Sequence, residues 1–255
     1  MMFRALVMLL LSSSSPVHSA PPAAAPAAPP PEEKAQVLWD SWYTVTLQGK
    51  IPYGYYNDRV EKKQNKIAFK NQFWKKEEGH VNEEQLVAFA EDTPALTPVL
   101  FNFHSSYRAT TIDIDGTIQG GKLSVKSRKN GKTLKTIARS IPKGAFFSSM
   151  FPVWIGKRAA QLKEGKLVSF STVLEDNLDR QYAPVSGTMR LEKADDYATK
   201  NSALKFAVTY QDRKSTWYVA KTGETLKIVM HDQAAVVEKT PEAAARKFLL
   251  QKDGL

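Results

Sequence analysis

The stretch Ile112-Asp-Ile-Asp-Gly-Thr-Ile118 carries the pair of carboxylates whose spacing comes nearest to chemistry. An Asp-x-Asp pair behind an apolar run suits magnesium-dependent phosphoryl transfer. The first carboxylate attacks phosphorus, the second moves the proton, and the metal bridges carboxylate and phosphate. Asp113 would be the nucleophile and Asp115 its partner. Such a site needs a parallel βα unit, yet residues 119–141 read as strand, turn and strand with no helix behind the loop. Asp195-Asp196, the candidate late acidic pair, stands in a polar stretch. A magnesium-dependent phosphatase is therefore the disfavoured alternative.

Other chemistry is thinner still. His80, His104 and His231 do not stand at metal-ligand spacing with another ligand on one face, and His104-Ser105-Ser106 lacks a Gly-x-Ser-x-Gly elbow. The chain has no cysteine, which removes thiolate nucleophiles, disulfides, cysteine-held zinc and a lipidated N-terminal cysteine. No catalytic residue, metal ligand or cofactor is assigned. The reading is of a non-enzymatic protein.

Two groups of residues are candidates for binding. Phe146, Phe147, Met150, Phe151 and Trp154 recur at helical spacing within residues 145–162, which predicts a short helix interrupted at Pro152. Such a helix plugs the open side of a curved sheet, or lines a groove for a lipid or other apolar or amphipathic ligand. The second group follows from a net charge of +10 and from Asn130-Gly131, a strong two-residue hairpin signal. That turn predicts Lys129 opposite Lys132, Arg128 opposite Thr133, Ser127 opposite Leu134 and Lys126 opposite Lys135. Lys122, Lys126, Arg128, Lys135 and Arg139 then share one face, with Leu123, Val125, Leu134 and Ala138 on the other. The basic face is either a solvated surface or a patch for an anionic envelope surface. Nothing indicates specific nucleic-acid binding. Tyr43, Tyr53, Tyr55 and Tyr56 are read as cross-strand aromatic packing.

Residues 1–19 read as a signal peptide, with Arg4 before a short apolar core and small residues at its end. Its seven apolar residues fall far short of the roughly 20 that a membrane span needs. Residues 20–36, rich in Pro and Ala, read as a linker. The expected protein is periplasmic or secreted, bacterial and monomeric, without a transmembrane segment after signal removal.

Residues 37–255 read as a single β-rich domain. Apolar and polar residues alternate at Tyr43–Leu47, Val99–Phe103 and Trp217–Met230, and further strands are expected at residues 66–77, 85–91, 110–115, 117–128, 132–141, 167–174, 188–192 and 203–210. Trp217 is expected in the main core beside Leu226 and Ile228. Thr240-Pro241 opens a C-terminal helix that packs Phe248 and Leu249. The fold class is mainly β: a large curved antiparallel sheet, half-barrel or open barrel, with a plugging helix and a C-terminal helix.

Three stretches carry a resemblance: Ser41-Trp-Tyr-x-Val-x-Leu-x-Gly-Lys-Ile-Pro-Tyr-Gly-Tyr55, Gly116-Thr-Ile-Gln-Gly-Gly-Lys-Leu-Ser-Val125 and Trp217-x5-Gly-Glu-x-Leu-Lys227. Together they resemble bacterial envelope β-proteins of unknown function, whose related β-regions accompany transglutaminase-like domains. The resemblance implies a curved antiparallel sheet, broadly like the half-barrels of periplasmic lipoprotein carriers. It implies no catalytic residues, since the transglutaminase-like cysteine is absent. The apolar Phe146–Trp154 segment in such a β chain, with no assembled catalytic set, points to a non-enzymatic envelope protein that binds an apolar or amphipathic ligand or an envelope partner.

Overall fold

The computed structural model describes residues 34–176 and 181–250. The expected signal peptide, and most of the linker, lie outside the described residues. Gln36, counted with the linker, already begins the first strand.

The chain forms one sheet. Its first eight strands are β1 (Gln36–Leu47), β2 (Ile51–Lys63), β3 (Lys66–Glu77), β4 (His80–Glu91), β5 (Pro98–Tyr107), β6 (Thr110–Gln119), β7 (Lys122–Lys129) and β8 (Lys132–Ser140). The short β9 (Phe146–Phe147) and a 3-10 turn lead into helix α1 (Phe151–Arg158). Then come β10 (Leu167–Val173), β11 (Val185–Glu192), helix α2 (Asp196–Lys200), β12 (Leu204–Tyr210), β13 (Arg213–Val219), β14 (Thr225–Met230), β15 (Ala235–Thr240) and helix α3 (Glu242–Lys247). The spatial order is β8-β7-β6-β5-β4-β3-β2-β1-β15-β14-β13-β12-β11-β10-β9. Neighbours are antiparallel except β9 and β10. The sheet is curved and does not close, a mainly β fold with a short helix and a C-terminal helix.

Register sorts the concave face into rows, because residues directly opposite one another share a face. Trp39, Val60, Phe69, Ala88, Phe101, Gly116, Val125 and Ile137 form one row across β1–β8. Apart from glycine and the partly buried Ile137, these residues are buried core. One pleat away runs Ser41, Asp58, Asn71, Leu86, Phe103 and Ile114, and beyond it Tyr43, Tyr56, Phe73 and Glu84.

Helix α1 lies across one end of this curve. Lys157 and Lys62 both donate to the Asp92 carboxylate, and Arg158 donates to the Pro94 carbonyl, so α1 is tied to the β4–β5 loop. On its other side Gly156 meets the β13–β14 turn, where a Cβ on Gly156 would lie 2.6 Å from the Thr222 carbonyl oxygen. Pro152 is not the expected kink. It sits in the first turn of α1, where its missing N–H costs no hydrogen bond.

The strand reading needed other corrections. Residues 110–119 are one strand, and the turn falls at Gly120-Gly121, not at Asp115-Gly116. Gly116 is a glycine for another reason: a Cβ there would lie 2.0 Å from the Phe101 ring. The Asn130-Gly131 turn is as expected, with positive φ at both residues and Lys129 opposite Lys132. One step on, Leu134 bulges out, so Ser127 pairs with Lys135 and Lys126 with Thr136. A second bulge, at Leu226, puts Thr225 and Ile228 in the buried positions. Trp217 is opposite Ile228 as expected, but it is only half-buried. The Pro241-led C-terminal helix packs outside β1 and β2, burying Ala245 and laying the Arg246 guanidinium over Trp42 at 4.3 Å. Phe248 and Leu249 are partly covered.

Gly116→Ala should cost about 1–3 kcal/mol in urea unfolding, the usual range for overpacking. Phe101→Leu in the same chain should recover part of that loss, which Phe101→Leu alone would not suggest.

Candidate functional site

The core row is covered by Phe146, Phe147, Met150 and α1, but the sheet is wider than that cover. What remains is a groove of about 710 Å³ running along the concave face from Phe69 and Thr225, near α1, to Leu47 and Gln233. Its apolar walls include Phe73, Leu86, Phe103, Trp217, Ile228 and Met230. A branch of about 240 Å³ leaves it past Phe151 and Trp217 towards Arg213 and Asp232.

The five residues expected to bind ligand are therefore divided. Phe146, Phe147 and Met150 are fully buried, and Trp154 stacks on Phe146 with ring centres 5.0 Å apart. Phe151 lines the branch, with its ring edge-on to Trp217 at 5.1 Å, and Trp154 lines a separate hollow beside Arg158 and Phe170. Ser148, Ser149 and Pro152, from the same segment, form the groove wall. Helical spacing could not separate these roles, because core and cavity wall want the same side chains.

The polar lining is acidic. Asp58, Glu84, Glu175 and Asp176 line the groove, and among the described residues no Lys or Arg does. Two of these are satisfied by protein. Lys75 reaches Glu84 at 2.9 Å and Glu77 at 3.1 Å. Glu175, 2% exposed, accepts from Ser148 Oγ at 2.6 Å and from the N–H and Oγ of Ser149, holding the turn before α1. Burial pushes its carboxyl up to about 7 despite those bonds.

Asp58 is different. Asn71 Nδ2 donates to its Oδ1 at 2.7 Å, and among the described residues no donor reaches Oδ2. It sits one pleat from the core row, beside the stacked rings of Tyr43 and Tyr56. The Tyr43 hydroxyl is committed to the Thr225 carbonyl at 2.9 Å. Burial pushes the Asp58 carboxyl up to about 7. No sequence pattern marked Asp58, since its neighbours in space come from β1 and β3 and not from adjacent positions.

The Asp113-x-Asp115 motif lies on the opposite, outer face of β6, between antiparallel β5 and β7. His104 Nδ1 bonds Asp113 at 2.8 Å, while Asn102 at 2.7 Å and Arg128 at 2.6 Å hold Asp115. Asp195 is the N-cap of α2 and accepts from Ala198 N at 3.0 Å. Among the described residues, no group of three or more His, Asp or Glu is placed to hold a metal ion. The expected five-residue basic face is also divided. Lys122, Lys126 and Arg128 share the outer face with Asp113 and Asp115, and the Leu134 bulge turns Lys135 and Arg139 to the other side. Among the described residues, no helix is long and apolar enough to cross a membrane. The aromatic reading holds in outline: Tyr43 stacks on Tyr56 at 4.7 Å inside, and Tyr55 on Trp74 at 4.9 Å outside.

No family model matches the chain, and no curated protein matches it. Among solved structures, a DUF1089 family protein from Pseudomonas aeruginosa is similar at 13% identity, over 67% of this chain and 87% of that one, with a TM-score of 0.38. At that score the likeness carries no argument about function.

A carboxyl held near 7 is neutral in the folded protein at a pH where the unfolded chain already ionises it. Its contribution to stability is therefore fully present below about pH 4 and lost as pH rises towards about 7. Asp58→Asn keeps an acceptor for Asn71 and removes this loss. It should raise unfolding stability at pH 8 by about 1–2 kcal/mol, less than the full shift because the group is partly open to solvent along the groove, and leave it nearly unchanged at pH 4.

Proposed function

We propose that this is an exported, non-enzymatic envelope protein that binds an apolar or amphipathic small molecule, one chain acting alone, in the groove of the concave face. The observation behind the proposal is the groove itself. Its volume, about 710 Å³, lies within the range of small-molecule sites, which are mostly apolar with a few placed polar groups. A sheet face that served only as core would be filled by side chains at close packing. Here Tyr56, Phe73, Phe103, Trp217 and Met230 are all left partly exposed along one continuous space. Support for export comes from the basic, apolar and small-residue succession of residues 1–19 and the Pro/Ala-rich stretch after it.

Protein purified from its own host should carry a small apolar or amphipathic molecule, visible by native mass spectrometry and recovered by solvent extraction. The neutral fluorophore N-phenyl-1-naphthylamine should bind the emptied protein. Met230→Trp, which narrows the groove, should weaken that binding about tenfold while thermal unfolding stays within a few degrees. Protein that is empty from its host and that never binds the fluorophore would end this reading.

A further inference from the structure

We propose that the occupant of the groove enters head first, and that its head is a hydrogen-bond donor, a hydroxyl or an amine, received by Asp58 Oδ2. This rests on the groove being a ligand site. It adds which end of the ligand is recognised, by which atom, and which head groups are refused.

Among the carboxylates that line the groove away from full exposure, Asp58 is set apart by what it lacks. The Glu175 oxygens are saturated by the two serines, and Glu84 has the Lys75 ammonium. Ser41, next to Asp58 across the strands, gives its hydroxyl to Glu224, which also takes Lys239 at 2.6 Å. The Tyr43 hydroxyl is spent on Thr225. These donors are thus turned to other acceptors, and Asp58, which lines the groove, has among the described residues no donor at Oδ2. A carboxylate so placed costs stability unless something donates to it. A donor on the ligand does so, and a carboxylate or phosphate head would instead meet like charge at Asp58, with no cation among the described residues that line the groove.

Position fixes the direction of entry. Asp58 and Asn71 stand in the row next to the packed core, at the end that α1 closes. The aromatic row of Tyr56 and Phe73 lies between them and the other end, with Leu86 and Phe103 alongside on Asp58's own row. A head bonded to Asp58 therefore lays its hydrocarbon body along these side chains towards Met230 and Leu47. Arg213 and Lys214 line only the branch beyond Trp217, away from Asp58.

The test is competition against N-phenyl-1-naphthylamine at pH 8 by decylamine, 1-decanol and decanoate, which share one chain and differ in the head. Decylamine and decanol should displace the fluorophore at concentrations about tenfold or more below decanoate, the size of one hydrogen bond to a charged acceptor. In Asp58→Asn the preference for the amine over decanoate, each read against that variant's own fluorophore affinity, should shrink to about threefold or less. Equal competition by decanoate in the wild-type protein overturns the inference while leaving the groove as a ligand site. An unchanged order in a folded Asp58→Asn does the same. Failure of the fluorophore and all three chains to bind overturns both.

Discussion

An open, curled sheet has to hide one apolar face without the closure that a barrel provides, and here a single eight-residue helix meets that demand. Its position depends on a close backbone approach and a shared carboxylate. Gly156 and Gly223 let α1 touch the β13–β14 turn, where any Cβ would collide with backbone. Asp92 collects Lys157 from the helix and Lys62 from β2, which fixes the helix to the far side of the curve. Both contacts lie at the same end of the strands. The helix therefore closes that end, and the groove begins where its cover stops.

The limits of that cover explain why the concave face is graded. Next to α1 the row from Trp39 to Val125 is packed against Phe146, Phe147 and Met150. One pleat away the lining turns mixed, with Asp58 and Asn71 among leucine and phenylalanine, and a second cluster of Tyr43, Val45, Ile228 and Val237 forms the floor under β1, β14 and β15. Polar groups there find hydrogen bonds from a neighbouring strand, as Asp58 does from Asn71, or from the Ser148–Met150 turn, as Glu175 does. The acidic lining stands against a chain of net charge +10, so the charge of the inner surface is opposite in sign to that of the chain. The outer face disperses its charge in cross-strand pairs such as Arg128 with Asp115 and Arg59 with Asp40.

Much of this architecture was legible in the chain, and where it was not, one extra residue made the difference. Period-two alternation located most strands, and β3 was bounded correctly at both ends. The bulge at Leu134 reversed the face of what followed it, and the bulge at Leu226 reversed that of Thr225 before it. That moved Lys135 and Arg139 away from the other basic residues and made Thr225 a core residue. Alternation counts positions and cannot show a residue that the ladder skips. The strand β15 went unread because its six residues follow a 3-10 turn and continue directly into the C-terminal helix. That strand pairs with β1 and so joins the two halves of the sheet.

The sequence by itself determined what local chemistry can determine: β class from alternation, the Asn130-Gly131 turn from two residues that accept positive φ, an apolar plug from its aromatic spacing, and the exclusion of cysteine chemistry. The tertiary structure alone decided which of the plug's aromatic residues are core and which face space, and that the Asp113-x-Asp115 pair is spent on cross-strand bonds. It also placed Asp58 at the inner end of a groove, with one oxygen that no donor among the described residues reaches. These outcomes depend on which strands become neighbours. Residues 41, 58, 71 and 225 meet through register and curvature, and no interval along the chain records that meeting.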